Sequence, residues 1–224
     1  MRTARQVSWA ALALTCASLC LGPARAQGTE VYDGITYAQF KSILSQTKLG
    51  LAESVTQKGN RYLTVTVPGA TAPFVATVMD CSAGQDQPCE GFAYLYIETR
   101  RPMNASAMVQ FSKDTSFVKA TPAIVDPSHS VITGEFYARG GVTPQYVTHA
   151  GAFYTAVLES FLKGSGAIAM NGRTTPALTF AKPMRPEQFF ADLAAKGGGK
   201  PALAGATAPV IDEALIDALN GGRR

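Results

Sequence analysis

The residues that could do chemistry in this chain are few. The stretch Asp80–Gly91 reads DCSAGQDQPCEG, with Cys81 and Cys89 separated by small, polar and turn-forming residues. Such a pair is a redox switch, a metal knuckle, a reactive thiol or a staple. A tetrahedral metal site needs a second Cys/His pair, which the chain does not offer nearby. Asp80, Asp86 and Glu90 have the hard oxygens a cation prefers, but a turn needs polar residues in any case. Catalytic dithiols usually come as C-x-x-C at a helix start, where the helix dipole lowers the thiol pKa. That leaves a structural disulfide between Cys81 and Cys89, stabilising by roughly 2–3 kcal/mol for so short a loop, with redox signalling as the alternative.

Only His129 and His149 could serve as a base for a nucleophile. His129 sits in the polar turn Pro127-Ser128-His129-Ser130, and His149 lies beside the apolar stripe of a long helix. There is no G-x-S-x-G, and Gly59, Gly69 and Gly84 are too scattered for a phosphate cradle. Glu135 and Asp126 have nothing local to shift their affinities and are assigned to the surface. The expectation is a protein without catalytic residues, metal or cofactor, and not an enzyme.

Compartment decides what two cysteines mean. Residues 1–26 carry Arg2 and Arg5, then an apolar run, then Ala24-Arg25-Ala26, the pattern of a cleaved secretory signal. The run is shorter than the roughly 20 apolar residues of a spanning helix, and Pro23 closes it. Cleavage would remove Arg2, Arg5 and Arg25, taking 20 basic residues to 17 against 16 acidic, so the net charge falls from +4 to +1. No nucleic-acid partner is expected from such a balance, and at most a peripheral association with membrane. Cys16 and Cys20 would leave too, and Cys81 and Cys89 remain as each other's partners, as in an exported disulfide protein.

The elements that must position these residues are legible as periodicities. Ile35-Thr36-Tyr37-Ala38-Gln39-Phe40 fits a capping box with Thr36 as N-cap, and predicts a helix from Tyr37 to Lys48. Leu51–Gln57 and Arg61–Val67 read as a strand pair around Lys58-Gly59-Asn60. Pro73–Asp80 and Gly91–Thr99 are β-rich runs that place the cysteine loop at a hairpin tip. Asn104 caps a helix over Ala105–Lys113, strands follow at 116–125 and Ser130–Arg139, and Thr143-Pro144 opens a long helix. The order α-β-β-β-β-α-β-β-α is an α+β fold, helices on an antiparallel sheet. Past residue 163 the composition turns to Gly, Ala and Pro, so the chain divides into a signal at 1–26, a domain at 30–163 and a tail at 164–224. The tail holds two short amphipathic pieces, Pro186–Lys196 and Val210–Leu219, which would be marginal helices alone. They dock on the domain, recruit a partner or stay free.

Asp80–Thr99, with its strand into one cysteine and out of another, is followed by Met103-Asn104 opening a helix, then by FVKATPAIVDPSHSVITGEFYARGGVTPQYV and an aromatic-rich helix. Over residues 33–163 this resembles the YbjN family of bacterial sensory transduction regulators. The resemblance implies a fold similar to type III secretion chaperones and no established reaction. After Asn104 the chain departs from it: many relatives have a Trp-Asn pair and basic residues where Ala105-Ser106-Ala107-Met108 stand here.

The functional expectation is an exported, periplasmic or secreted binding and regulatory module, with a purely structural envelope protein as the rival and an unrecognised hydrolase behind it. Tyr94 and Tyr96 alternate with Leu95 and Ile97, so one set faces the core and the other faces away. The outer face either receives a protein or peptide, including a helix of the tail, or lies under a second buried layer. Tyr94, Tyr96, Phe189 and Phe190 are the candidate partner surface, and a homodimer is compatible with it.

Overall fold

The computed structural model describes residues 30–100, 103–115, 117–162, 185–196 and 209–221. The expected export segment and Cys16 and Cys20 lie outside them. In chain order the elements are α1 (Tyr37–Ser45), β1 (Gly50–Val55), β2 (Arg61–Thr66), β3 (Phe74–Met79), β4 (Gly91–Glu98), α2 (Ala105–Asp114), β5 (Val118–Pro122), β6 (Ser130–Tyr137), α3 (Pro144–Ser160), α4 (Pro186–Lys196) and α5 (Glu213–Asn220). This is an α+β fold, and the order α-β-β-β-β-α-β-β-α holds through α3.

Local chemistry sets the helix starts. The Thr36 hydroxyl accepts from the Gln39 N–H (3.2 Å) while the Gln39 side-chain oxygen accepts from the Thr36 N–H (2.9 Å), which satisfies two otherwise orphan donors. α1 ends at Ser45, short of Lys48, because its last carbonyls turn inward: Ile43 and Leu44 accept from the Gln46 and Thr47 N–H groups. Asn104 and Thr143 cap α2 and α3 through the N–H groups of Ala107 and Tyr146.

The six strands form one antiparallel sheet in the order β1-β2-β3-β4-β6-β5. The chain meanders through β1 to β4, crosses by α2 to the far edge, and returns by the β5–β6 hairpin, so that β6 lies against β4 over eight residue pairs. The register places Leu63, Val65, Phe74, Ala76, Phe92, Tyr94, Ile132 and Phe136 on one face. That face meets α1, α2 and α3 in a single core, with Phe40, Leu44, Val147, Tyr154 and Leu158 all buried in it.

Close approach at the centre of this core depends on one missing side chain. A Cβ at Gly134 would lie 2.9 Å from the Tyr154 ring, so glycine lets α3 settle against β6. Two deeply buried phenols then find main-chain acceptors, Tyr94 on Val147 O (3.0 Å) and Tyr154 on Ile132 O (2.8 Å).

The described parts of the tail are docked. α4 packs on α3 with Phe190 buried in the main core. The backbone of Gly69, at φ +80°, runs so close to the Leu193 carbonyl that any Cβ would overlap it. α5 lies on the opposite face of the sheet. Among the described residues no helix is long and apolar enough to cross a membrane.

Candidate functional site: the second face of the sheet

The face turned away from α1 and α3 carries a smaller apolar cluster among polar residues such as Thr77 and Thr133. Tyr62, Val75, Met79, Ala93, Leu95, Ile97 and Val131 are its apolar residues, each no more than 8% exposed. What buries them is α5 and the residues just before it: Ile211, Leu215, Ile216 and Leu219 pack onto this surface, and Ile216 is itself 2% exposed. The spacing of these four is the stripe of an amphipathic helix, which explains why so short a segment sits on the sheet.

The polar contacts of α5 are as specific as the apolar ones. At its N-terminus the buried Asp212 is the N-cap: one carboxylate oxygen accepts from the Leu215 N–H (3.1 Å), the other from the N–H groups of Ile124 (2.9 Å) and Val125 (3.1 Å) in the β5–β6 loop. Glu213 accepts from the Gln57 N–H (3.0 Å). Asp217 accepts from the Thr56 hydroxyl (2.7 Å) and the Asn60 amide (2.8 Å) of the β1–β2 turn, with the exposed Lys58 ammonium 3.8 Å away. At the C-terminal end the carbonyls of Leu219 and Asn220 accept from the N–H groups of Asp80 (2.7 Å) and Cys81 (3.3 Å). A helix terminus has carbonyls without internal partners, and here a neighbouring loop supplies their donors.

That loop is the cysteine motif. Cys81 and Cys89 are bridged, with Cα atoms 4.3 Å apart, and both are buried. The connection from β3 to β4 is therefore not a free hairpin tip. Ile35 exchanges both main-chain hydrogen bonds with Cys89 (3.1 and 3.0 Å), and Gln85 O accepts from the Tyr37 N–H (2.9 Å). The buried Gln85 side chain pairs with the Arg61 main chain through both its atoms, at 2.6 and 2.9 Å, and donates to Asn220 Oδ1 (2.8 Å). The bridge thus fixes a loop that holds the start of α1 on one side and the end of α5 on the other.

All four expected partner-surface residues lie on the helix-bearing side of the sheet. Tyr94 is 1% exposed and faces α3, and burial pushes its phenol pKa up. Phe190 is buried in the same core. Tyr96 and Phe189 are half-buried and pack against that helix-bearing side rather than on an outer face. The tyrosine set of β4 belongs to the core because its rings fill the space under α1 and α3, and Leu95 and Ile97 take the other face.

The remaining candidates for chemistry are dispersed. Asp86 pairs with Arg61, and Glu90 with Arg139 at 2.9 Å. His149 Nδ1 lies 2.8 Å from Gln145 O on its own helix. The turn 126–129 does bring Ser128, His129 and Asp126 together, but Asp126 stands between them, 2.6 Å from the Ser128 hydroxyl and 3.4 Å from His129 Nε2. Those hydrogen bonds from Ser128 hold the Asp126 carboxyl below its usual pKa. This is an Asx turn, in which the acid organises the backbone, rather than a relay from acid through imidazole to hydroxyl.

The fold and this face define a class: an antiparallel α+β domain whose second sheet face holds a helix. Comparison with protein-family models, with curated proteins and with solved structures finds no match for this chain.

Proposed function

We propose that this protein is an exported, non-enzymatic binding and regulatory module of the bacterial cell envelope, and that its ligand face is the second face of the sheet. The observation that carries the reading is the pairing of an apolar cluster on this face with a two-turn helix as its cover among the described residues, at the end of a Gly/Ala/Pro-rich segment. A helix of that length is marginal in water by itself, so its hold on the sheet is a local equilibrium and the face is available when it opens. The resemblance of residues 33–163 to the YbjN family, with its regulatory description and its likeness to type III secretion chaperones, supports the same reading. So does residues 1–26 as an export signal, and a Cys81–Cys89 bridge is compatible with an oxidising compartment.

The test is a photo-crosslinking amino acid at Leu95, beneath α5, in the full chain expressed in its own cells. A discrete adduct to another polypeptide is expected from Leu95 and not from Ala52 on edge strand β1. Adducts confined to α5 of the same chain, under every growth condition, would remove the binding reading.

A further inference from the structure

The groups around the second face say what kind of ligand it takes. Its rim presents donors: the N–H groups of Gln57, Ile124 and Val125, the Thr56 hydroxyl and the Asn60 amide, with the Lys58 ammonium beyond. All of these reach carboxylates of α5. At the far end the N–H groups of Asp80 and Cys81 meet helix carbonyls. Thr56 and Asp212 are buried and the surrounding donors converge on carboxylates, so a neutral or basic helix laid on the same floor gives up several charge-assisted hydrogen bonds. The donors also fix direction, because the β5–β6 loop caps a helix N-terminus and the disulfide loop caps a C-terminus.

Resting on the binding reading above, we propose that the partner of this face is an acidic amphipathic helix of about two turns, which enters by displacing α5. Its pattern is that of residues 211–220: an apolar residue, an N-cap aspartate, an acid, an apolar pair one turn on, a second aspartate, a further apolar residue and a terminal asparagine. Asp212 and Asp217 set the charge preference, and Asn220 reads the disulfide loop through Gln85. While α5 is tethered it competes at the high effective concentration of an intramolecular ligand, so the external helix gains access when that tether is cut or its own affinity is greater.

The experiment uses the full chain with a specific protease site inserted after Gly198, folded and oxidised first and cut afterwards. The probe is a fluorescent synthetic peptide of residues 209–221, whose exchange into the cut protein is followed by anisotropy. The parent peptide should bind saturably and displace α5. Peptides with Asp212→Ala or Asp217→Ala should bind on the order of 10- to 100-fold more weakly, and one with lysine at both positions should not bind. Equal binding of the parent and the lysine peptide would overturn the acidic-helix assignment while leaving the face as a binding site. Failure of any peptide to enter, with α5 retained after cutting, would overturn the binding reading itself.

Discussion

Truncation of Ile216 to alanine isolates the energy that holds α5. The side chain is 2% exposed and enters the cluster of Tyr62, Val75, Met79, Ala93 and Leu95. Large-to-small changes at such sites cost about 2–5 kcal/mol, and alanine returns only a few tenths through helix propensity, so roughly 3 kcal/mol is expected. At 1.4 kcal/mol per decade that is about a 100-fold rise in the open population of α5. The molecule contains its own reporters. The N–H groups of Asp80, Ile124, Val125 and Gln57 donate to atoms of residues 212–220, so their exchange with solvent tracks release of α5. Amides of the central strand β4, such as that of Leu95, exchange through larger openings. Hydrogen exchange read by NMR should show the first set accelerating about 100-fold in Ile216→Ala and the β4 set accelerating far less. Equal acceleration of both sets would mean that α5 is no separate unit, and an unchanged Asp80 amide would mean that Ile216 does not hold it. Either result refutes the reasoning.

Three further outcomes are expected. The Cys81–Cys89 bridge keeps both of these thiols from alkylation in the denatured, unreduced protein, and Cys89→Ser lowers stability to urea by roughly 2–3 kcal/mol. Gly69→Val places a side chain against the Leu193 carbonyl at a φ that L-residues avoid, so limited proteolysis should cut within Pro186–Lys196 while α1 to α3 stay protected. Burial raises the phenol pKa values of Tyr94 and Tyr154 in the folded state above the ordinary value of 10.0. Their contribution to stability is therefore complete below that value and is lost as pH rises above it, when the unfolded chain ionises first. An alkaline titration followed by phenolate absorbance should show these two rings ionising only with cooperative unfolding, while exposed phenols titrate earlier.

Local signals in the sequence were sufficient for most of the elements. The Thr36–Gln39 capping box, the Asn104 and Thr143 caps, and the turn at Lys58-Gly59-Asn60 each act within a few residues, so they can be read without knowing the rest of the chain. Strand ends were less legible where a distant group takes over the backbone. The strand expected to run to Val125 stops at Pro122, because the N–H groups of Ile124 and Val125 turn to Asp212. The face of β4 was ambiguous for a similar reason. Both of its side-chain sets are apolar, and period two separates them without saying which lies under α1 and α3. The cover of the second face was legible only as one alternative, a helix of the tail beside an outside partner. Its residues lie far along the chain from the strands, in a segment whose composition reads as linker. A signal was nevertheless present: Val-Ile-Asp-Glu followed by an apolar pair is an N-cap aspartate opening an amphipathic turn. The roles of Gln85 and Asn220 left no such trace, because each depends on a tertiary meeting of the cysteine loop with the end of α5.

The position of α5 in the chain has a consequence for biogenesis. Every strand is synthesised before the helix that covers its second face. The chain can therefore complete its sheet and pack α1 to α3 while Val75, Leu95 and Ile97 still face water. Until α5 docks, that apolar cluster is open to other chains. A fusion partner or premature stop that removes residues 209–221 should show first as poor recovery from the cell, before any change in the core is measurable.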